Sequence, residues 1–234
     1  MEAPPLPRRG RGGQHAVTDA SHFGSCFNVR MGGFEPDFTI ELKAMRKGTK
    51  YVCGIDEAGR GPWAGPVVAA AVVLDPKSIP GGLNDSKKLS EAQREALFEP
   101  IMLSARVGVG IAEVERIDRD NILQATLWAM GEALRQIDGV ALALVDGNRA
   151  PKLPCAVQTI VEGDAKSLSI AAASIIAKVT RDRIMVGHDV TYPEYGFARH
   201  KGYGTELHRE ALMRHGPSPL HRKSFAPVAA FFIR

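Results

Sequence analysis

The hydrophobic pattern of this chain consists mainly of short apolar runs separated by glycine, proline and charged residues. Two runs, at 51–55 and 67–74, flank a loop that is rich in glycine and proline. Residues 106–112 (RVGVGIA) alternate along the chain, and two further apolar runs occupy 140–145 and 157–161. Short β-branched runs with glycine or proline at their ends are typical of buried strands. Each of the five segments is therefore predicted to be a strand.

Longer segments with a helical period lie between and after these runs. A Ser-x-x-Gln capping box predicts a helix over 90–104. Residues 121–137 place apolar side chains on one helical face, and residues 167–186 form a long helix with a face of small residues. A last helix is predicted over 206–215, because glycine and proline follow it. Strands mixed with helices, without an internal repeat, predict one α/β domain.

Composition narrows the class of protein further. The 234 residues are 44% hydrophobic, which is enough for one domain with a substantial core. No apolar run reaches about 18 residues, so we expect no membrane span, and the charged start of the chain is not followed by the apolar segment of a secretory signal. Three scattered cysteines fit neither a disulfide framework nor a zinc motif. We therefore expect a cytoplasmic protein, and a monomer.

The two ends of the chain differ from its middle. Residues 1–33 are rich in Gly, Pro and Arg and lack periodicity, which predicts a disordered tail. The folded domain is expected over 34–228, and residues 229–234 form a short C-terminal tail. The net charge is +4, divided as +3 over residues 1–50, −4 over 51–177 and +5 over 178–234. This division suits a cation site beside an anion-binding surface, and it suits ordinary solvated charges equally well.

Four acidic residues stand at the ends of three predicted strands. Asp56 and Glu57 follow the first strand, Asp146 follows the strand at 140–145, and Asp164 lies just beyond the strand at 157–161. If these strands are neighbours in one sheet, the carboxylates meet at one edge, where their repulsion calls for a cation. Oxygen ligands favour Mg²⁺ or Mn²⁺. Two such ions, about 4 Å apart, support in-line phosphodiester hydrolysis.

Each acid also has a plainer interpretation. Asp146 begins an Asp-Gly-Asn sequence that is typical of a turn, and Asp164 is a suitable residue for the start of a helix. Side chains of adjacent strand residues point to opposite faces, so Asp56 and Glu57 can share a metal only where the strand ends or bends. The glycines that follow them make such a bend plausible.

Six blocks of the sequence resemble one family. GIDEAGRGPWAGPVVAAAV, NDSKKLS, LVDGN, EGDAKSLSIAAASIIAKVTRDR, YGFARHKGYGTELH and HRKSFAPV occur in the order typical of bacterial ribonuclease HII, over about residues 50–228. The resemblance implies a ribonuclease-H-like fold, with a mixed central sheet flanked by helices and additional C-terminal helices. It also implies endonucleolytic hydrolysis of the RNA strand in RNA–DNA hybrids. Incision on the 5′ side of single ribonucleotides embedded in duplex DNA, leaving 3′-hydroxyl and 5′-phosphate ends, is implied as well.

The resemblance assigns roles to individual residues. The four metal-binding acids of the family fall on Asp56, Glu57, Asp146 and Asp164. The Gly-Arg-Gly element that recognises the 2′-hydroxyl falls on Gly59, Arg60 and Gly61, and the tyrosine that stacks on the following deoxyribose falls on Tyr203. A 2′-hydroxyl distinguishes RNA from DNA, and glycine backbone can approach it closely. The chain departs from many relatives at Gly204, where they carry proline, and we expect a looser loop around Tyr203.

Other polar residues are candidates for nucleic-acid contact. Ser86, Lys87 and Lys88 follow an Asn-Asp turn and are predicted to meet backbone phosphates. Ser174, Lys178 and Arg181 share one helix face, which could line the same groove. A packed small-residue helix with exposed charges is an interpretation of at least equal weight. The histidines at 200, 208, 215 and 221 lack the spacing of a zinc site, and we expect basic-surface or capping roles.

The C-terminal residues Phe225, Val228, Phe231 and Phe232 follow the spacing of a sliding-clamp-binding peptide, except that such peptides carry glutamine at the first position. Docking of this tail on a clamp is one hypothesis; an apolar end folded onto the domain is the other, and we prefer it.

Two other functions remain open at this point. A junction-resolvase-like nuclease on the same superfold would cleave all-DNA substrates. A nucleic-acid-binding protein without catalysis would have no use for four converging acids.

Overall fold

The computed structural model describes residues 35–232. Its centre is one mixed sheet of five strands in the order β3-β2-β1-β4-β5. The strands are β1 (Val52–Ala58), β2 (Val67–Leu74), β3 (Ala105–Ala112), β4 (Leu142–Asp146) and β5 (Ala156–Ile160). Strand β2 pairs antiparallel with both β1 and β3, whereas β4 is parallel to β1 and to β5. The structure thus confirms all five predicted strands. Their ends lie within two residues of the prediction, except that β1 continues three residues further than predicted, to Ala58.

Helices flank this sheet and complete the C-terminal part of the chain. They are α1 (Thr39–Arg46), α2 (Glu91–Ser104), α3 (Val114–Asp120), α4 (Ile122–Arg135), α5 (Leu168–Thr191), α6 (Phe197–His200), α7 (Glu206–His215) and α8 (Ala226–Ala229), with short 3₁₀ turns at Gly163–Ala165 and Pro193–Tyr195. The predicted capping box is present in α2, where Ser90 accepts from the Gln93 N–H and the Gln93 side chain accepts from the Ser90 N–H. The α/β fold with extra C-terminal helices is as predicted.

The sequence pattern missed the short helices and the full length of α5. Helices α1, α3, α6 and α8 have only four to eight residues each, too few for a clear period. Helix α5 continues to Thr191, five residues beyond the predicted end. Its last turns pass through a glycine and several polar residues, so their hydrophobic signal is weak.

The sheet is buried on both faces because α4 covers one and α5 the other. Alternate residues of β2 belong to two separate core clusters, Val67, Ala69, Ala71 and Val73 on the α4 side and Ala70, Val72 and Leu74 on the α5 side. Glycine permits unusually close approach on each face. A Cβ at Gly110 would lie 2.0 Å from the Ala129 carbonyl oxygen of α4, and one at Gly54 would lie 2.1 Å from the Ser169 carbonyl carbon of α5. The sheet edge at the end of β1 is therefore fixed rigidly against α5.

The segment from the end of α5 to α8 packs on the loop between β1 and β2. Ala64, Met185, Tyr195, Phe197 and Ala211 form its small apolar core. A β-bridge joins Ala64 to His221. The predicted N-terminal tail lies outside the described residues. Among residues 35–232, no helix is both long and apolar enough to cross a membrane.

Candidate active site

Asp56 and Asp146 lie side by side on neighbouring parallel strands. The register of β1 and β4 pairs Ile55 with Val145, so the next position pairs the two aspartates. Neighbouring strands are about 5 Å apart, which brings both carboxylates to the same edge. The Asp146 Oδ1 accepts a hydrogen bond of 2.7 Å from the Gly163 N–H. This bond attaches the turn that carries Asp164 to the end of β4.

The electrostatics of Asp56 reflect this convergence. Its side chain is buried, and burial is the main cause that raises its pKa well above the ordinary value; the charges of Glu57, Asp146 and Asp164 raise it further. Burial likewise raises the pKa of Glu57, with Arg60 opposing and Asp146 adding to the shift. The structure therefore brings all four predicted acids within electrostatic reach of one another. Gly59, with φ of +96°, follows the end of β1 and supplies the expected change of direction.

Two basic side chains pair with these acids. The Lys87 ammonium lies 3.2 Å from Asp164 Oδ2, and the Arg60 guanidinium lies 3.3 Å from Glu57 Oε1. Both cations are largely exposed, whereas the Asp164 and Glu57 side chains are mostly buried. Exposed lysine and arginine side chains can leave such pairs at little cost. The pairs neutralise part of the acidic cluster and leave it able to accept other cations.

The donor set fits a hard divalent cation, although the carboxylates do not converge on one point. Within residues 35–232, no group of three His, Cys, Asp or Glu side chains is arranged to hold a metal ion. Magnesium needs only one or two protein carboxylates, because water and substrate phosphate complete its shell. Four carboxylates with no nitrogen or sulfur ligand match that preference. Asp164 and Glu57 each pair with a cation through one carboxylate oxygen, so the other oxygen remains a possible metal ligand.

The Gly-Arg-Gly loop lies next to the predicted tyrosine. A Cβ built on Gly61 would be 3.8 Å from Cε1 of Tyr203, and the tyrosine ring is 44% exposed. Arg60 and Gly61 are also exposed. An aromatic ring, a flexible basic side chain and glycine backbone thus share one open surface beside the acidic cluster.

Comparison with known proteins identifies the family. A model of the family Ribonuclease HII matches residues 53–228. Ribonuclease HII of Azorhizobium caulinodans is 57% identical over 194 residues, which cover 82% of this chain and 75% of that protein. Ribonuclease HII of Magnetococcus marinus is 56% identical over 199 residues, which cover 82% and 93%. The chain belongs to the ribonuclease HII family. It is a metal-dependent endoribonuclease that acts on RNA–DNA hybrids.

Solved structures agree with this assignment. The ribonuclease H2 from Pyrococcus horikoshii OT3 is 28% identical, with a TM-score of 0.64 over 78% of this chain and 97% of that one. The ribonuclease HII in a PCNA complex from Archaeoglobus fulgidus is also 28% identical, with a TM-score of 0.64 over 74% and 94%. Bst-RNase HIII in complex with Mn²⁺ is 20% identical and shares the fold, with a TM-score of 0.64. The ribonuclease-H-like fold predicted from the sequence is confirmed.

The residues near Ser86 that were predicted to contact phosphates differ in their exposure. The side chains of Lys87 and Lys88 are exposed, and Lys87 pairs with Asp164 of the acidic cluster. Ser86 is buried instead, and its main-chain N–H donates to Ser174 Oγ at 3.3 Å while its carbonyl accepts from Arg94 at 2.9 Å. Ser86 therefore fastens the loop to α5 and leaves the lysines outside.

Gly204, where a looser tyrosine loop is predicted, lies against a tryptophan. A Cβ at this position would lie 2.1 Å from Cζ2 of Trp63, so the glycine packs directly on the indole ring. The main-chain N–H of Trp63 also donates to the Gly202 carbonyl at 2.8 Å. The loop is held on both sides of Tyr203, because the small residue lets the ring close over it.

The proposed groove face of α5 points inwards. Ser174 and Arg181 are buried, and the Lys178 ammonium pairs with Asp182 at 2.7 Å. Burial lowers the pKa of Arg181 to about 10. The alternative weighed for these residues was a packed helix with exposed charges: the packing is confirmed, but the exposed charges are wrong for Arg181, which is buried. The spacing placed them on one face but could not show which face the sheet covers.

Three of the four histidines form a buried cluster, so the basic-surface prediction is wrong for them. His200, His208 and His221 are buried, and the rings of the first two stack with centroids 4.4 Å apart. His208 Nδ1 lies 2.9 Å from the Tyr203 carbonyl, which can only accept, so Nδ1 carries the proton. The unprotonated Nε2 then accepts from His221 Nε2 at 3.0 Å. The histidines support the tyrosine loop as neutral rings.

Proposed function

We propose that this ribonuclease HII relative incises the 5′ side of single ribonucleotides in duplex DNA, besides cleaving the RNA strand of hybrids, and acts as a monomer. The products are a 3′-hydroxyl and a 5′-phosphate. One observation carries the proposal: the parallel register that sets Asp56 beside Asp146, with the Asp164 turn bonded to Asp146 through Gly163. This arrangement concentrates carboxylates where a scissile phosphate could be hydrolysed.

In the proposed mechanism, Asp56, Glu57, Asp146 and Asp164 hold two divalent cations, Mg²⁺ or Mn²⁺. Bound ions of this kind activate a water molecule and stabilise the leaving oxygen. Burial is the main cause of the raised pKa of Asp56, and the charges of Glu57, Asp146 and Asp164 raise it further. A bound cation would relieve this mutual repulsion, which supports the role. Lys87 and Arg60 hold two of the acids in the free protein and then pass to substrate phosphates.

Recognition of the substrate falls to the exposed surface beside these acids. Gly59, Arg60 and Gly61 contact the 2′-hydroxyl and the adjoining phosphates, and Tyr203 packs on the deoxyribose that follows. Lys87 and Lys88 contact the backbone, and Ser86 keeps their loop in place. Phosphate contacts of this type make binding weaker as salt increases.

The decisive experiment compares two DNA duplexes that differ in a single ribonucleotide. We expect nicking on the 5′ side of the ribonucleotide, only with Mg²⁺ or Mn²⁺ present, and no cleavage of the all-DNA duplex. End-group analysis of the products tests the 3′-hydroxyl. Metal-dependent cleavage of the all-DNA duplex would refute the proposed ribose recognition and favour a resolvase-like activity.

A second proposal concerns the C-terminal tail. A related ribonuclease HII occurs in a complex with PCNA, and here the rings of Phe231 and Phe232 are exposed at 38% and 52%. We propose that these two rings dock on a sliding clamp. Val228 is fully buried and Phe225 packs against the domain core, so neither belongs to the docking segment as first expected. Clamp binding that survives the replacement of both phenylalanines by alanine would refute the docking.

A further inference from the structure

Two arginines are fully buried and bind only main-chain carbonyls. Arg222 is 0% exposed and Arg181 is 1% exposed. Within residues 35–232, neither lies within ion-pairing distance of a carboxylate. A buried guanidinium without an acidic partner is costly, because the lost hydration is recovered only from hydrogen bonds. This cost indicates that the positions of the bound carbonyls matter.

Arg222 gathers the carbonyls of the loop that contains the Gly-Arg-Gly element. The five N–H groups of its guanidinium make six contacts of 2.6 to 3.2 Å, one of them shared, with the carbonyl oxygens of Gly59, Arg60, Pro62, Gly65 and Pro66. The main chain of Arg222 also donates to the Trp63 carbonyl at 2.8 Å. One side chain, distant in sequence, thus binds carbonyls along the whole loop.

The captured carbonyls fix the direction of the neighbouring amides. In a planar trans peptide the C=O and the following N–H point in opposite directions. Because the Gly59 and Arg60 carbonyls turn inwards to Arg222, the N–H groups of Arg60 and Gly61 turn away from it. Neither amide donates to any other group in the described part of the chain. Two consecutive N–H groups without partners, on exposed residues, form a site for an oxygen ligand.

Arg181 joins this loop to the one that carries Tyr203. Its nitrogens donate to the carbonyls of Pro66 at 2.9 Å, Ala64 at 3.2 Å and Lys201 at 3.0 Å. A Cβ at Gly59 would lie 2.0 Å from Arg181 Nε, so the loop packs directly on this side chain. The Arg181 guanidinium also lies 5.9 Å from the centre of the Tyr203 ring. Arg181 therefore contacts both the loop that carries the amides and the loop that carries the ring.

We propose that Arg222 and Arg181 are positioning residues for ribonucleotide recognition, which hold the Arg60 and Gly61 amides and the Tyr203 ring at the separation that a ribose–deoxyribose junction requires. The proposal rests on the function proposed above for this surface. Neither arginine touches the substrate. Both add positive charge beneath a surface that must accept phosphate, and burial lowers the pKa of Arg222 to about 9.

The test replaces each arginine by lysine, which keeps the charge and removes the multiple bonds to carbonyls. Binding is measured by fluorescence anisotropy in an Asp146→Asn background, on a duplex with one ribonucleotide and on the all-DNA duplex. We expect Arg222→Lys and Arg181→Lys to lower the ratio of the two affinities at least about 10-fold, through loss of hydrogen bonds to the 2′-hydroxyl. Affinity for the all-DNA duplex should stay close to that of the parent protein.

Two control variants separate positioning from stability. Arg183→Lys changes an exposed arginine of the same helix, which pairs with Glu95. Leu134→Ala destabilises the core on the opposite face of the sheet. Both should keep the affinity ratio. If Arg222→Lys does not fold, Arg181→Lys carries the test, because Arg222 still holds the loop.

The outcomes are distinguishable. Arginine variants that lose thermal stability as Leu134→Ala does, yet keep the ratio within about 2-fold, overturn the proposal. A parent protein without preference for the ribonucleotide refutes the proposed function and, with it, this assignment.

Discussion

The buried histidine pair predicts that the protein loses stability steeply as the pH falls below 7. Burial lowers the pKa of His208 from 6.5 to about 4, and burial together with the charge of His208 does the same for His221. Their Nε2 atoms are 3.0 Å apart and share one proton. Protonation of either ring would set two N–H groups against each other, so the folded protein resists it.

The magnitude follows from linkage. At pH 5 the unfolded chain binds nearly one proton on each histidine and the folded chain nearly none, so the folded state loses stability as the pH falls from 6.5 towards 4. Each pKa unit is worth about 1.4 kcal/mol, which gives about 2 kcal/mol per histidine at pH 5 and about 4 kcal/mol for the pair. Typical domains have only about 5–15 kcal/mol of stability in total.

The assay is denaturant unfolding at pH 7 and at pH 5, for the parent protein and for His208→Gln. The buried acids of the active site have raised pKa values and contribute with the opposite sign, but this contribution cancels when the two proteins are compared. The variant should show a pH-dependent loss smaller by about 2 kcal/mol. His215→Gln, which changes an exposed histidine of the same helix, is the control. Equal pH dependence of the parent protein and His208→Gln would refute the reasoning.

Three further changes test the site and its support. Asp146→Asn removes one of the paired strand-end carboxylates and should lower kcat at least about 100-fold with unchanged far-UV circular dichroism; near-normal activity would contradict the proposed ligand set. Gly204→Ala forces a Cβ into the Trp63 ring. We expect a raised KM for the ribonucleotide duplex and a smaller effect on thermal stability. An unchanged KM would exclude a packing role. Gly54→Ala drives β1 away from α5 and should cost about 1–3 kcal/mol in chemical denaturation, whereas a neutral result would mean that the helix shifts freely.

The sequence was sufficient for the sheet and for the acids because both leave local signals. Each strand is a short apolar run, and each acid follows such a run, so the pattern itself places carboxylates at strand ends. Strands β1 and β4 pair residues that are 90 positions apart in the sequence, and Asp56 and Asp146 are also 90 positions apart. That equality could not be derived in advance, because strand order depends on how the helices pack.

The groups that position the site leave no comparable signal. Arg222 bonds to a carbonyl 163 residues away, and the acceptors are main-chain atoms that every residue possesses. No spacing or residue type in the loop indicates that an arginine binds its carbonyls. Charged residues are rarely buried, so composition alone argues for the surface. His208 likewise donates to a main-chain acceptor, the Tyr203 carbonyl, and no sequence pattern marks that contact.

A consequence for substrate choice follows from this difference. Asp56 and Asp146, two of the proposed metal ligands, are placed side by side by the register of β1 and β4. The amides of Arg60 and Gly61 and the Tyr203 ring depend on buried donors from α5, α7 and the segment that precedes α8. Changes at these donors should therefore alter the preference for ribonucleotides before they abolish hydrolysis. Ribose selectivity and phosphodiester hydrolysis are, on this argument, separable properties of the fold.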